Sequence, residues 1–190
     1  MRLVLVGPPG AGKGTQAQFL AAHFSIPHIS TGDIFRANLK AGTELGKQAQ
    51  TFMDRGELVP DSVTNEMVKD RLTHDDVANG FILDGFPRNV AQAEVLRAIL
   101  AEKKTPLHAV LEFSLSDEEI IARLLQRAEI ENRVDDKEDV IKRRLEVYAE
   151  QTAPIISFYR NEGLLISVTA VGNIEDITAS AISALSRVAQ

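Results

Sequence analysis

The sequence predicts an α/β protein in which a five-stranded parallel sheet lies between two layers of helices, a three-layer α/β/α sandwich. Five short apolar segments have the length and composition of strands, and segments with helical spacing lie between most of them. This alternation is typical of right-handed crossovers, which make neighbouring strands parallel. The first apolar segment also runs directly into a glycine-rich turn that opens a helix, and ligands of such sheets bind at the carboxyl ends of the strands.

The predicted elements follow one another along the chain. Residues 3–6 form a continuous apolar run, which is typical of a strand buried on both faces. The other predicted strands are 28–30, 81–83, 109–113 and 164–168. The predicted helices are 13–24, 92–100, 117–127, 140–159 and 174–188.

Two stretches interrupt this alternation. Residues 31–73 have the pattern of consecutive short helices without a strand, and Gly42, Gly56 and Pro60 divide them. Residues 127–136 are short, polar and rich in charge. We find no internal repeat and no linker, so we expect one folding unit with two excursions.

Composition limits the classes of function. The 190 residues include 21 Lys and Arg against 27 Asp and Glu, a net charge of −6. This balance argues against nucleic-acid or anionic-membrane binding, which needs a basic face. The absence of cysteine excludes disulfides and thiolate zinc sites. The apolar run near the N-terminus is too short for a signal segment, so we expect a cytoplasmic protein and, from its charge, a monomer.

The strongest motif is GPPGAGKGT, residues 7–15. Glycines allow backbone N–H groups to turn toward phosphate oxygens, and the following helix directs its positive end at the same anion. Lys13 is expected to reach the β and γ phosphates of a nucleotide. In the strict form of this motif Ser or Thr follows the lysine, but here Gly14 does, so we do not assign Thr15 as a metal ligand. The alternative is a glycine-rich turn without a ligand.

Further motifs give the chain a family resemblance. They are GPPGAGKGTQ (7–16), ISTGDIFR (29–36), GELVPD (56–61), FILDGFPRNVAQ (81–92), NRVDD (132–136) and IKRRLEVY (141–148). With them the chain resembles the nucleoside-monophosphate kinases, most closely the adenylate kinases, over almost its whole length. The resemblance implies a P-loop NTPase fold with a core (1–30, 60–125 and 137–190), a helical NMP-binding insertion (30–59) and a short lid (126–136). It also implies reversible transfer of the terminal phosphoryl group of MgATP to AMP, giving two ADP, in adenine nucleotide homeostasis and salvage.

The resemblance assigns roles to individual residues. Those expected to bind ATP are Gly10, Ala11, Gly12, Lys13, Gly14, Thr15, Arg123, Arg127 and Gly172. Those expected to bind AMP are Thr31, Arg36, Glu57, Leu58, Val59, Gly85, Phe86, Pro87, Arg88, Gln92, Arg133 and Arg144. Those expected to act in catalysis are Lys13, Asp84, Arg88, Arg123, Arg127, Arg133 and Arg144. For a single arginine taken alone, a solvated helix face is the alternative.

Magnesium is the cofactor that the resemblance implies, and no zinc is expected. Asp84 and Asp33 would orient water molecules of the Mg²⁺ ion, which retains much of its hydration shell. For Asp33, the alternative is capping of a helix N-terminus. The four histidines lie outside the functional positions of the motifs, and we interpret them as surface or packing residues.

AMP is the expected acceptor because the chain has Thr31 in STGD and Gln92 after DGFPR. The amide of Gln92 can donate and accept, which matches the edge of adenine. Three alternatives stay open: a kinase of UMP, CMP or GMP, a nucleotide-binding module without turnover, and a GTPase. For the GTPase we find no guanine-reading NKxD motif.

Overall fold

The computed structural model describes residues 1–131 and 138–188, without the side chains of 117, 127–131 and 138. Arg133, the side chain of Arg127 and most of the expected lid (126–136) therefore lie outside the described residues. Within the described part, no helix is long and apolar enough to cross a membrane.

The sheet has five parallel strands, as predicted. They are β1 (Arg2–Val6), β2 (His28–Ser30), β3 (Phe81–Asp84), β4 (Ala109–Ser114) and β5 (Leu165–Thr169). Their order across the sheet is β2-β3-β1-β4-β5. In this register Asp84 pairs with both Leu5 and Ser30, so the ends of the three strands β1, β2 and β3 meet at one edge of the sheet. The glycine-rich turn, Asp84 and the start of the insertion are thereby brought together.

Helices cover both faces of this sheet. They are α1 (Lys13–Phe24), α2 (Thr31–Lys40), α3 (Glu44–Met53), α4 (Asp61–Arg71), α5 (Val90–Glu102), α6 (Asp117–Glu131), α7 (Glu138–Val147), α8 (Pro154–Asn161) and α9 (Ile174–Ser186). On β1, Leu3 and Leu5 pack against α1 and α9 on one face. Val4 and Val6 pack toward α4, α5 and α8 on the other. Successive side chains of a strand point to opposite faces, so a continuous apolar run supplies two cores and gives the α/β/α layering.

Residues 30–59, which include helices α2 and α3, lie beside the sheet, and we call them the flap. The hydroxyls of Ser30 and Thr43 cap these two helices by accepting hydrogen bonds from backbone N–H groups. A separate apolar cluster holds the flap together, centred on Phe35, Ala49 and Val59.

The expectation of one helix over 140–159 is wrong. Helix α7 ends at Val147, a π-helical segment follows at Tyr148–Thr152, and α8 begins at Pro154. Proline has no backbone N–H and fits the first turn of a helix, not its interior. The apolar periodicity continues through this break, so the pattern alone favoured a single helix. Tyr148, the first residue of the π-helical segment, lines the cleft described below.

Candidate active site

The glycine-rich turn between β1 and α1 adopts the conformation that an anion site requires. Gly10 and Gly12 have φ of +84° and +79°, a region that favours glycine. Gly12 is the N-cap residue of α1, and no side chain caps this helix end. A Cβ on Gly10 would lie 2.9 Å from Leu124 Cγ, so α6 also restricts this position. Backbone N–H groups and the positive end of α1 thus face the cleft.

Lys13, in the first turn of α1, lies across this turn. Its Nζ donates to the carbonyl oxygens of Gly7 at 2.8 Å and Pro8 at 2.9 Å. These contacts hold the ammonium group over the turn, where a nucleotide's β and γ phosphates would lie.

Asp84, at the end of β3, is a partly buried carboxylate that faces this lysine. Burial alone would raise the pKa of Asp84, but interaction with His28 and the charges of Lys13 and Arg88 outweigh it and hold that pKa below its usual value. The carboxylate therefore stays ionised at neutral pH. A Cβ on Gly14 would lie 3.7 Å from Asp84 Oδ2, which places the carboxylate beside the first turn of α1.

His28 is not only a surface or packing residue, as the sequence suggested, because it lies in the cleft beside Asp84. Its Nε2 lies 3.6 Å from Asp84 Oδ2, too far for a hydrogen bond, and the ring lines the cleft. Tyr148 also lines the cleft, and burial raises the pKa of its phenol to about 12, so it is neutral at physiological pH. His28 is the first residue of β2, and its sequence neighbours do not indicate that it lies beside Asp84.

Arg88 lies in the segment between β3 and α5. Its Nε donates to the carbonyl oxygen of Gly85 at 3.0 Å, which directs the guanidinium along the cleft wall. Gly85 has φ of +82°, and a Cβ there would lie 2.5 Å from Thr31 Oγ1, so the wall requires glycine. The next peptide bond, Phe86–Pro87, is cis. The Phe86 side chain is buried in the core, and neither Phe86 nor Pro87 lines the cleft.

Two charged residues of α2, Asp33 and Arg36, also line the cleft. Arg36 pairs with Asp33 through Nη2 and Oδ1, one helical turn apart. Asp33 does not cap the helix, because Ser30 does. The Asp33 side chain is 67% exposed, so of the two expected magnesium carboxylates Asp33 is the more solvated.

Gln92, in the first turn of α5, is 1% exposed and lines the cleft. Its Oε1 accepts from the backbone N–H of Arg88 at 2.7 Å, and its Nε2 donates to Asp61 Oδ1 at 2.7 Å. Asp61 lies in the motif GELVPD, but nothing in the sequence indicates that it contacts Gln92, 31 residues later.

Helix α6 and the segment after β5 line the cleft beside the glycine-rich turn, since a Cβ on Gly12 would lie 3.9 Å from Arg123 Nη1. Arg123 Nη2 donates to the carbonyl oxygen of Ala170 at 2.8 Å, near Gly172. Arg144, on α7, packs beside the flap, since a Cβ on Gly56 would lie 3.0 Å from its Cγ. An arginine on α7 thus stands beside Gly56, in the segment that follows α3.

These residues surround one cleft of about 880 Å³. Of the expected site residues it is lined by Gly10, Ala11, Gly12, Lys13, Gly14, Thr15, Thr31, Asp33, Arg36, Glu57, Leu58, Val59, Asp84, Gly85, Arg88, Gln92, Arg123, Arg144 and Gly172. The glycine-rich turn forms one end and the flap the other. The cleft therefore has room for an anion-binding end and a second, differently lined end.

The residues present fit a magnesium ion that arrives with a nucleotide. Within residues 1–131 and 138–188, no three His, Asp or Glu side chains stand together as direct metal ligands. Asp84 offers an ionised oxygen next to the anion site, which suits an ion bound chiefly by phosphate oxygens and water.

Comparison with known proteins identifies one family. A family model described as "Adenylate kinase" matches residues 5–164. The adenylate kinase of Thermobifida fusca is 62% identical over 97% of this chain and 98% of its own. That of Kocuria rhizophila is 52% identical over 98% of this chain and 99% of its own.

A third relative differs in length. The adenylate kinase of Streptomyces griseus is 47% identical over 97% of each chain, but its alignment spans 213 positions. The alignment with the Thermobifida protein spans 185, which is 28 fewer. The Streptomyces protein therefore contains residues that this shorter chain lacks. With a family model that matches most of its length and relatives aligned almost end to end, this chain belongs to the adenylate kinase family.

Proposed function

We propose that the chain carries out its family's reaction in this cleft, transferring the terminal phosphoryl group of ATP to AMP to give two ADP. It is an ATP:AMP phosphotransferase. One observation carries the assignment of the site: Lys13, Asp84 and Arg88 converge between the phosphate-binding turn and the flap.

In this proposal the two nucleotides lie end to end. The backbone amides of residues 10–15 and Lys13 hold the ATP phosphates, and Arg36 and Arg88 hold the α-phosphate of AMP by two-point hydrogen bonding. The attacking oxygen already belongs to an anionic phosphate, so no general base is required. Catalysis then consists of in-line positioning and cancellation of negative charge on the transferring group.

The remaining cations complete this arrangement. Arg123 and Arg127 contact the donor's phosphates, and Arg133 and Arg144 close over the transferring group. Support for Arg144 comes from its place beside the flap. The roles of Arg127 and Arg133 are supported only by where these residues stand in the sequence relative to the family's motifs.

Magnesium bound with ATP supplies positive charge to the transferring oxygens. Asp84 would hold its water ligands, with Asp33 as a second, more exposed carboxylate. The ionised state and cleft position of Asp84 support this role.

The base of AMP would lie against the flap. The residues that line this part of the cleft, next to Gly85, are Thr31, Gln92, Glu57, Leu58 and Val59. The last three would contact the base through their backbone. Residues 30–59 would act as a moving flap and 126–136 as a short lid that together exclude water. We further propose that the enzyme is a cytoplasmic monomer, which its charge of −6 and cysteine-free sequence allow.

The direct test is a coupled assay for ADP formed from ATP and one nucleoside monophosphate. We expect turnover with AMP, dependence on Mg²⁺, and much lower kcat/KM for GMP, UMP and CMP. No turnover with any monophosphate would indicate a binding module. Preference for another monophosphate would overturn the assignment of the acceptor.

Replacing Gln92 with Ala is expected to raise the KM for AMP about 10- to 30-fold, since two hydrogen bonds to the base are lost. The KM for ATP is expected to change little, because Gln92 lies at the acceptor end. Steady-state kinetics with each substrate varied in turn measures both values. Equal changes in the two KM values would contradict a role in reading the acceptor base.

A further inference from the structure

We propose that Asp61 fixes the polarity of the Gln92 amide, and that this makes the enzyme prefer a 6-aminopurine monophosphate over a 6-oxopurine monophosphate. The inference rests on the proposed function, in which Gln92 contacts the base of the acceptor. Asp61 lies at the start of α4 and is absent from the set of residues assigned by resemblance.

Hydrogen bonds settle which way the Gln92 amide points. Its Oε1 faces the backbone N–H of Arg88 at 2.7 Å, and an N–H can only donate. Its Nε2 donates to Asp61 Oδ1 at 2.7 Å, and a carboxylate oxygen accepts. Because one partner is a donor and the other an acceptor, the Gln92 amide can satisfy both in only one orientation.

The reverse orientation has a large cost. It would place the NH₂ group against the N–H of Arg88 and the amide oxygen against the Asp61 carboxylate. Gln92 is 1% exposed, so bulk water cannot relieve either mismatch. The orientation is thus set by the protein before any ligand binds.

Asp61 is itself held in place. The side-chain Nδ2 of Asn89 donates to Asp61 Oδ1 and Oδ2 at 3.0 and 3.1 Å. Asn89 Oδ1 accepts from the backbone N–H of Gln92 at 2.8 Å and so caps α5. The carboxylate, the cap and the amide form one network that joins the starts of α4 and α5.

This network leaves Gln92 one amide N–H and one oxygen lone pair for a ligand. Adenine offers an acceptor at N1 and a donor at its 6-amino group, which match them. Hypoxanthine and guanine offer a donor at N1 and an acceptor at O6, the reverse arrangement. A glutamine free to turn could pair with either type, whereas one locked by Asp61 suits adenine alone.

The test uses inosine monophosphate, whose base reverses the donor and acceptor of adenine at positions 1 and 6 without adding a group. Asp61→Ala removes the acceptor for Gln92 Nε2. Only the backbone N–H of Arg88 then opposes a reversed orientation of the Gln92 amide. We expect the ratio of kcat/KM for AMP to that for inosine monophosphate to fall about tenfold, with little change in the KM for ATP.

A purely structural role would give a different result. A loosened flap would lower kcat/KM for both monophosphates by the same factor and leave the ratio unchanged, and that outcome would overturn the inference. Asp70→Ala, the same change at an exposed position on α4, is the matched control and should not move the ratio. If Asp61→Ala folds poorly, Asp61→Asn can present either oxygen or NH₂ to Gln92, and it should shift the ratio in the same direction by less.

Gln92→Ala separates failure of this inference from failure of the proposed function. If the ratio falls in Gln92→Ala but holds in both Asp61 variants, Gln92 reads the base and Asp61 does not orient it. If Gln92→Ala leaves the ratio unchanged, the base-reading role itself is wrong, and the inference fails with it.

Discussion

Lys13→Met is expected to lower kcat by about 10²- to 10³-fold, because one positive charge aimed at the transferring phosphoryl group is lost. Methionine has a similar length and is unbranched, so helix α1 should form as before. Lys13 sits in the first turn of α1 and is only partly buried, so the melting temperature should stay close to that of the unaltered protein. Steady-state turnover in the coupled assay and a thermal melt check the two parts separately.

Lys103→Met is the matched control, since Lys103 is exposed at the end of α5, away from the cleft. It should keep full activity. If Lys13→Met also turned over at nearly the normal rate, the charge of Lys13 would have no role in the reaction.

Asp84→Asn is expected to lower kcat by about 10- to 100-fold and to raise the Mg²⁺ concentration needed for half-maximal rate. Asparagine preserves the volume, but a neutral amide attracts the metal's water ligands less. It also removes the negative charge between Lys13 and Arg88. A Mg²⁺ titration at saturating ATP and AMP measures both changes. An unchanged Mg²⁺ dependence would mean that Asp84 does not hold the metal's water shell.

The pKa of Asp84 also predicts the pH dependence of the unaltered enzyme. The pKa of Asp84 in the folded protein lies below the ordinary aspartate value. The carboxylate is therefore ionised at any pH above the ordinary value, and it is protonated only when the pH falls through the lower, folded-state pKa. Protonation of Asp84 should therefore not reduce the rate between pH 5 and pH 8, a range above the usual value of about 4. Any loss of rate in that range should persist in Asp84→Asn.

Several features of the fold could be predicted because their causes are local. The apolar run of β1 indicates a strand buried on both faces, and the glycines with Lys13 indicate a phosphate-binding turn wherever they follow a strand and open a helix. Both predictions concern neighbouring residues. The fold class follows from them, since parallel strands must be joined by crossovers.

Other features depend on contacts that no local pattern reveals. Asp61 meets Gln92 because α4 and α5 begin side by side, across a separation of 31 residues. His28 meets Asp84 because β2 and β3 pair in register. The sequence contains Pro154, which favours a new helix start, but the apolar periodicity continues through 140–159 and predicts a single helix.

The most direct test of the whole account is a crystal structure with a bisubstrate mimic, two adenosines joined by a chain of phosphates. We expect one mimic per chain, with its phosphates in hydrogen-bonding contact with Lys13 and Arg88 and one adenine hydrogen-bonded to Gln92. A mimic that binds elsewhere, or that leaves Lys13 and Arg88 on different surfaces, would contradict a shared cleft in which two nucleotides meet.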